Sequence, residues 1–151
     1  MATPYSNVNT YRQNSVASAT PLQLVIMLYD GALRFIRAGK QAILQESHFV
    51  QNEQITKAQR IVTELMSCLD MEKGGEIAKN LMALYSYVYD QLVQANINDD
   101  ASALDRCEKV LCDLRESWSE LDKQQRATAQ AGRATAQANA ASPGFGDAKA
   151  A

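Results

Sequence analysis

The sequence predicts an all-α protein, an antiparallel up-and-down four-helix bundle with a mobile N-terminal arm and a disordered C-terminal tail. Three observations predict it. No segment alternates apolar and polar residues with the period of a strand. Apolar residues recur instead at helical spacing in four separate segments. The links between those segments are short, which favours antiparallel neighbours. Of 151 residues, 46% are hydrophobic and 21% charged, ordinary values for one globular domain with a core. The expected boundaries are an arm over 1–19, a bundle over 20–126 and a tail over 127–151.

The arm is rich in Ser, Thr, Asn and Ala, with Val8, Tyr11 and Val16 as isolated apolar residues. The first helix has a sharp start: Thr20 suits an N-cap, Pro21 the first helical position, and Gln23 completes a capping box. It runs to about Gln45, and Glu46-Ser47-His48-Phe49 is a turn candidate. The second helix covers roughly Asn52 to Leu69, with Ile55, Ala58, Ile61, Val62, Leu65, Met66 and Leu69 on one side. Asp70 to Gly75 breaks the chain, because adjacent glycines are cheap in a turn and costly inside a helix.

The third helix runs from about Glu76 to Ala95, with a core stripe of Ile77, Leu81, Leu84, Val88 and Leu92. Asp99 or Asp100 caps the fourth helix, whose stripe is Leu104, Cys107, Val110, Leu111, Leu114, Trp118 and Leu121. From about Ala127 the chain is mostly Ala, Gln, Thr and Gly. A helix without a packed face is marginal, so a disordered or frayed tail is expected.

Composition excludes several function classes. The net charge of −2 argues against nucleic-acid binding, which needs a basic face. No run of about 20 apolar residues offers a membrane span, and the N-terminus has no secretory pattern. Cys68, Cys107 and Cys112 form no disulfide framework and no zinc signature, which points to a reducing cytoplasm. The single histidine, His48, falls in a turn and reads as a surface residue. It cannot furnish a bundle di-iron site, which takes two Glu-x-x-His motifs, or a hydrolase triad unaided. Gly74-Gly75 lacks the Lys-Ser or Lys-Thr of a phosphate loop. No catalytic residue, metal site or cofactor is assigned.

Two helices carry more apolar surface than one core needs. In the first, Leu22, Val25, Ile26, Tyr29, Leu33, Ile36 and Ile43 form one stripe. Leu24, Met27, Leu28, Phe35, Ala38 and Ala42 form a second, nearly opposite. In the third, Ala78, Met82, Tyr85, Tyr89 and Val93 widen the stripe to about half the circumference. Such a helix is either central and covered by its own domain, or receives an apolar partner segment. For the first helix both readings stand.

These residues fall into an ordered pattern. Val8-Asn9-Thr10-Tyr11 precedes Ala19-Thr20-Pro21-Leu22-Gln23-Leu24-Val25-Ile26-Met27-Leu28-Tyr29-Asp30-Gly31-Ala32. Lys57-Ala58-Gln59 follows, then Leu69-Asp70-Met71-Glu72-Lys73-Gly74-Gly75-Glu76-Ile77-Ala78-Lys79-Asn80-Leu81, Leu84-Tyr85, Gln94-Ala95-Asn96 and Leu114-Arg115-Glu116-Ser117-Trp118. From Val8 to Leu121 the chain resembles the FliS family of flagellar secretion chaperones; the tail is outside the pattern.

The resemblance implies an antiparallel four-helix bundle, not an enzyme. It implies 1:1 binding in the cytosol to the disordered C-terminal segment of flagellin, which prevents premature polymerisation and keeps flagellin competent for type III export. It further implies docking of the loaded chaperone on the membrane export gate, self-association without client, and use of the N-terminal arm in partner handling. The partner-binding residues expected are Val8, Tyr11, Leu24, Met27, Met82, Tyr85 and Tyr89. Two other readings are a helical interaction or regulatory bundle with a different client, and a small helical enzyme using Arg34 and Arg37 on an anionic substrate.

Overall fold

The computed structural model describes residues 18–141. Among these the regular elements are four helices: α1 (Pro21–Leu44), α2 (His48–Ser67), α3 (Gly75–Asn98) and α4 (Ala101–Ala141). The chain divides into two units after Glu116, so the bundle is described up to that residue.

The local start signals of the sequence are realised atom by atom. The Thr20 hydroxyl accepts from the Gln23 N–H at 3.2 Å, and the Gln23 side chain accepts from the Thr20 N–H at 3.1 Å. Pro21 occupies the first turn, where its missing N–H costs nothing. At the start of α4, Asp100 accepts from the N–H groups of Ser102 and Ala103 at 2.9 and 3.3 Å. Its hydrogen bond to the Ser102 side chain holds the Asp100 carboxyl below its ordinary range.

The turns differ from one another. Between α1 and α2, Glu46 takes a left-handed φ of 56° and the Ser47 N–H reaches the Ala42 carbonyl at 2.9 Å. This closing bond lets α2 begin at His48, four residues before the expected Asn52. Between α2 and α3, the Asp70 carboxylate accepts from the Glu72 and Lys73 N–H groups at 3.1 and 3.0 Å. The two glycines there serve different needs. Gly75 has φ +52° in open space, whereas a Cβ on Gly74 would lie 2.7 Å from the Asp70 carbonyl oxygen and 2.6 Å from the Ala78 Cβ.

Side-chain pairs fix the helix order around the core. A Cβ on Gly31 would lie 3.0 Å from Ile61, and one on Gly39 3.0 Å from Ile55, so α1 and α2 run antiparallel in close contact. On its other side α1 meets α4 through Asp30–Arg115, Arg37–Glu108 (3.2 Å) and Lys40–Asp105 (2.5 Å). Numbers rise on one helix as they fall on the other, so this pair is antiparallel too. Neighbouring α4 on the far side is α3: Arg106 donates to Gln91 at 2.9 Å, and the buried Cys107 thiol to the Val88 carbonyl at 3.5 Å. Burial pushes that thiol up to about 12. Finally, α2 and α3 meet where Gln51 donates to Asp99 (2.8 Å) and Asn96 to Asn52 (2.9 Å). The helices therefore form a square in which α1 and α3 lie on a diagonal.

Across that diagonal the Tyr29 and Tyr85 hydroxyls lie 2.5 Å apart, both side chains inside the core. Around them pack Ile36, Ile55, Leu65, Leu92, Leu104 and Leu111. The core stripe of α3 is therefore Ala78, Leu81, Tyr85, Val88, Leu92 and Ala95. It is turned by about 30° from the stripe expected from the sequence. Tyr85 moves in, and Ile77 and Leu84 move out to 70% and 37% exposure. The Tyr29 bond accounts for the rotation, since it draws Tyr85 to the centre.

In the second unit α4 continues to Ala141, beyond the boundary expected near Ala127. Residues 123–140 are exposed, so this stretch is helical without a packed face. Alanine and glutamine propensity supports it, along with side-chain bonds one turn apart such as Arg126–Asp122 at 3.0 Å.

Two predictions follow from the turn and the tyrosine pair. Gly75→Ala should cost about 1 kcal/mol, the left-handed penalty. Gly74→Ala should cost about 2 kcal/mol through its backbone clash. Urea melts of the two variants give the order directly. Burial first, then the Tyr29 bond, raises the Tyr85 phenol above its ordinary value near 10. A raised folded-state pKa means the stability is complete below that value and is lost as pH rises beyond it. Helicity of the wild type should therefore fall steeply in alkali above about pH 10. The Tyr29→Phe/Tyr85→Phe protein should lose less over the same range, and Tyr85→Phe should cost about 1 kcal/mol at neutral pH.

Candidate functional site

The described residues offer no constellation for bond-making chemistry. No group of three or more His, Cys, Asp or Glu among them could hold a metal ion. His48 opens α2 in an exposed position, 3.6 Å from Asp99. None of the described helices is long and apolar enough to cross a membrane. What the bundle does offer is apolar side chains left on its surface, and helix geometry sorts them into rows.

On α3, residues seven apart stand nearly in line, two turns from one another. Ile77 and Leu84 share such a row with Gln91, whose bond to Arg106 shows that this flank faces α4. Tyr87 lies beside the row, 41% exposed. Met82 and Tyr89 share a second row with Asn96, whose bonds to Gln51 and Asn52 show that it faces α2. Both Met82 and Tyr89 are half-buried. The core stripe lies between the rows, so α3 has an apolar margin on each side.

On α1 the exposed large apolar residues are Leu24 and Met27 in the first two turns and Leu44 at the last position. Leu24 and Met27 are 38% and 39% exposed. Leu24 shares a row with Gly31, which touches Ile61, so it borders the groove between α1 and α2. Further along, Ala42 is buried and Phe35 and Ala38 are half-buried. The two readings left open for this helix therefore divide it: its middle turns are covered by its own domain, and its first two are not.

The expected partner-binding residues are thus separated. Leu24 and Met27 lie at the surface of α1, and Met82 and Tyr89 on the α2 side of α3. Tyr85 is inside, 1% exposed and bonded to Tyr29, so no groove wall includes it in this state. Val8 and Tyr11 lie outside the described residues. Sequence reasoning passed over Ile77, Leu84 and Tyr87. A signal for the first two was present: their seven-residue row ends in Gln91, and a polar third member suits a margin better than a core.

Charges frame these rows without entering them. Hydrogen bonding to Asp30 raises Arg115, and bonding to Asp105 raises Lys40. Both ion pairs lie on the α1–α4 side, away from the α2 side of α3. Arg37 is engaged with Glu108, which leaves no arginine pair on α1 free for an anionic substrate.

Comparison with known proteins agrees with this geometry. The family model described as flagellar protein FliS matches residues 3–125. A flagellar secretion chaperone FliS of Bacillus subtilis is 40% identical over 82% of this chain and 89% of its own length. The protein of that name from Salmonella typhimurium is 37% identical over 77% of this chain and 90% of its own. A crystal structure of a bacterial flagellar chaperone, 19% identical, superposes with a TM-score of 0.66 over 81% of this chain and 99% of that one, which supports the fold. With apolar margins in place of a reaction centre and relatives matched over most of their length, the chain belongs to the FliS family of flagellar secretion chaperones, whose members are not enzymes.

Proposed function

We propose that the client of this chaperone is flagellin, held 1:1 by its C-terminal segment in the cytoplasm until the loaded complex meets the membrane export gate. The observation that carries the reading is the pair of apolar margins on α3 together with the open first turns of α1. These surfaces lie in three different grooves of the bundle. A compact ligand would fill one groove, whereas a disordered segment that folds on binding can wrap several. Tyrosine and methionine suit such contacts, being amphipathic and adaptable respectively.

Release needs no chemical step in this scheme, only competition at the gate. Val8 and Tyr11 join the margins in client handling, as their positions in the family pattern imply. Without client, the same exposed margins favour association of two copies, because apolar surface left in water is costly.

Calorimetric titration with the C-terminal segment of flagellin from the same bacterium should give tight 1:1 binding, gained helicity and a negative heat-capacity change. A segment that fails to bind, while another exported flagellar protein binds, would make the protein a bundle for a different client. Ile77→Ala/Leu84→Ala should weaken flagellin binding at least tenfold, about 1.4 kcal/mol. Its melt should stay within about 0.5 kcal/mol of wild type, since both residues are exposed. Tyr85→Ala should instead cost about 3 kcal/mol or more of stability. Unchanged affinity in the double variant would remove the α3–α4 margin from the client path.

A further inference from the structure

The outward face of α2, opposite its core stripe, carries a second kind of surface. A hollow of about 280 Å³ is lined by Phe49, Asn52, Glu53, Thr56, Lys57 and Arg60. Phe49 is 80% exposed, far more than an aromatic ring on a helix needs to be. Beside the hollow, Lys57 Nζ and the Arg34 guanidinium stand over the Phe35 ring at 5.6 and 5.2 Å from its centroid. Three cations and two aromatic rings therefore adjoin in a chain whose net charge is −2.

The pairing of the arginines singles out this face. Arg37, Arg106 and Arg115 each meet a carboxylate in Glu108, Asp100 and Asp30. Arg34 and Arg60 are the bundle arginines that meet none among the described residues, and both border this patch. Lys57 is only loosely engaged, 3.6 Å from Glu53. Guanidinium groups bind carboxylates in two-pronged fashion when one is offered. The hollow falls just short of the roughly 300–1,000 Å³ of small-molecule pockets, so it suits a side chain better than a cofactor.

We propose that this face docks a short acidic peptide segment of a protein partner. One aromatic or aliphatic side chain enters the hollow against Phe49, and flanking carboxylates meet Arg34, Lys57 and Arg60. The site is distinct from the α3–α4 margin, from which α2 turns this face away, and adjoins the α1–α2 groove that Leu24 borders. Nucleic acid is disfavoured because a phosphate backbone needs an extended basic face, and three cations around one hollow do not make one.

The test uses full-length protein and a fluorescein-labelled peptide of about a dozen residues, Asp and Glu flanking a central Phe. Saturable polarisation is expected, weakened at least tenfold by Arg34→Glu/Arg60→Glu and by Phe49→Ser, partly restored by Arg34→Lys/Arg60→Lys, and unaffected by Ile77→Ala/Leu84→Ala. Amide shifts should centre on α2 residues 49–60, and melting should be unchanged in every variant. Absence of saturation would overturn the proposal, as would equal binding by an acidic peptide without Phe or by the charge-reversed variant. Vesicles rich in phosphatidylserine that bind through the same three residues while the peptide does not would make the face a membrane contact instead.

Discussion

The hydroxyl bond between Tyr29 and Tyr85 decides how α3 is turned, and the turn of α3 decides what the surface offers. A phenol taken out of water needs a partner for its hydroxyl. Each tyrosine supplies one to the other across the diagonal of the square. With Tyr85 held at the centre, Ile77 and Leu84 must stand on one margin and Met82 and Tyr89 on the other. Had Leu84 faced inward, α3 would present one broad apolar side to α2 and little towards α4. The exposed apolar surface of α3 is in this sense a by-product of a polar contact in the core.

Much of the fold is legible in the sequence because its signals are local. Thr20-Pro21-x-Gln23, Asp70 with its two glycines, and Asp100 each act within one turn of chain, and the structure realises all three. The misread features depend on distant partners. Periodicity gives the width of the α3 stripe but not its centre, because a row of apolar residues half a helix wide has no unique middle. The bond that sets the centre joins residues 56 apart in sequence. The later start expected for α2 has a similar cause: Glu46 adopts a left-handed conformation usually given to glycine, and no glycine marks the turn. Which apolar residues stay at the surface was legible only in part, since exposure follows from packing and not from residue type.

The bundle is unequal in how its helices are held. Between α1 and α2 the contact is close, with glycines admitting Ile61 and Ile55. Against α1, by contrast, α4 is lined by exposed ion pairs, each worth about 0–1 kcal/mol. At the other extreme, the end where α2 starts and α3 stops is pinned by Gln51, a buried amide whose Nε2 reaches Asn96 and Asp99. A buried polar group of this kind fixes register, since a slip would strand it without partners.

The order of the helices has a further consequence, for the time the chain needs to fold. The closest backbone contacts join helices consecutive in sequence, α1 with α2 and α2 with α3, through connections of a few residues. Such a topology has low contact order, and helical bundles of this kind fold in microseconds to milliseconds. A newly made copy therefore reaches its binding-competent form almost as soon as it leaves the ribosome.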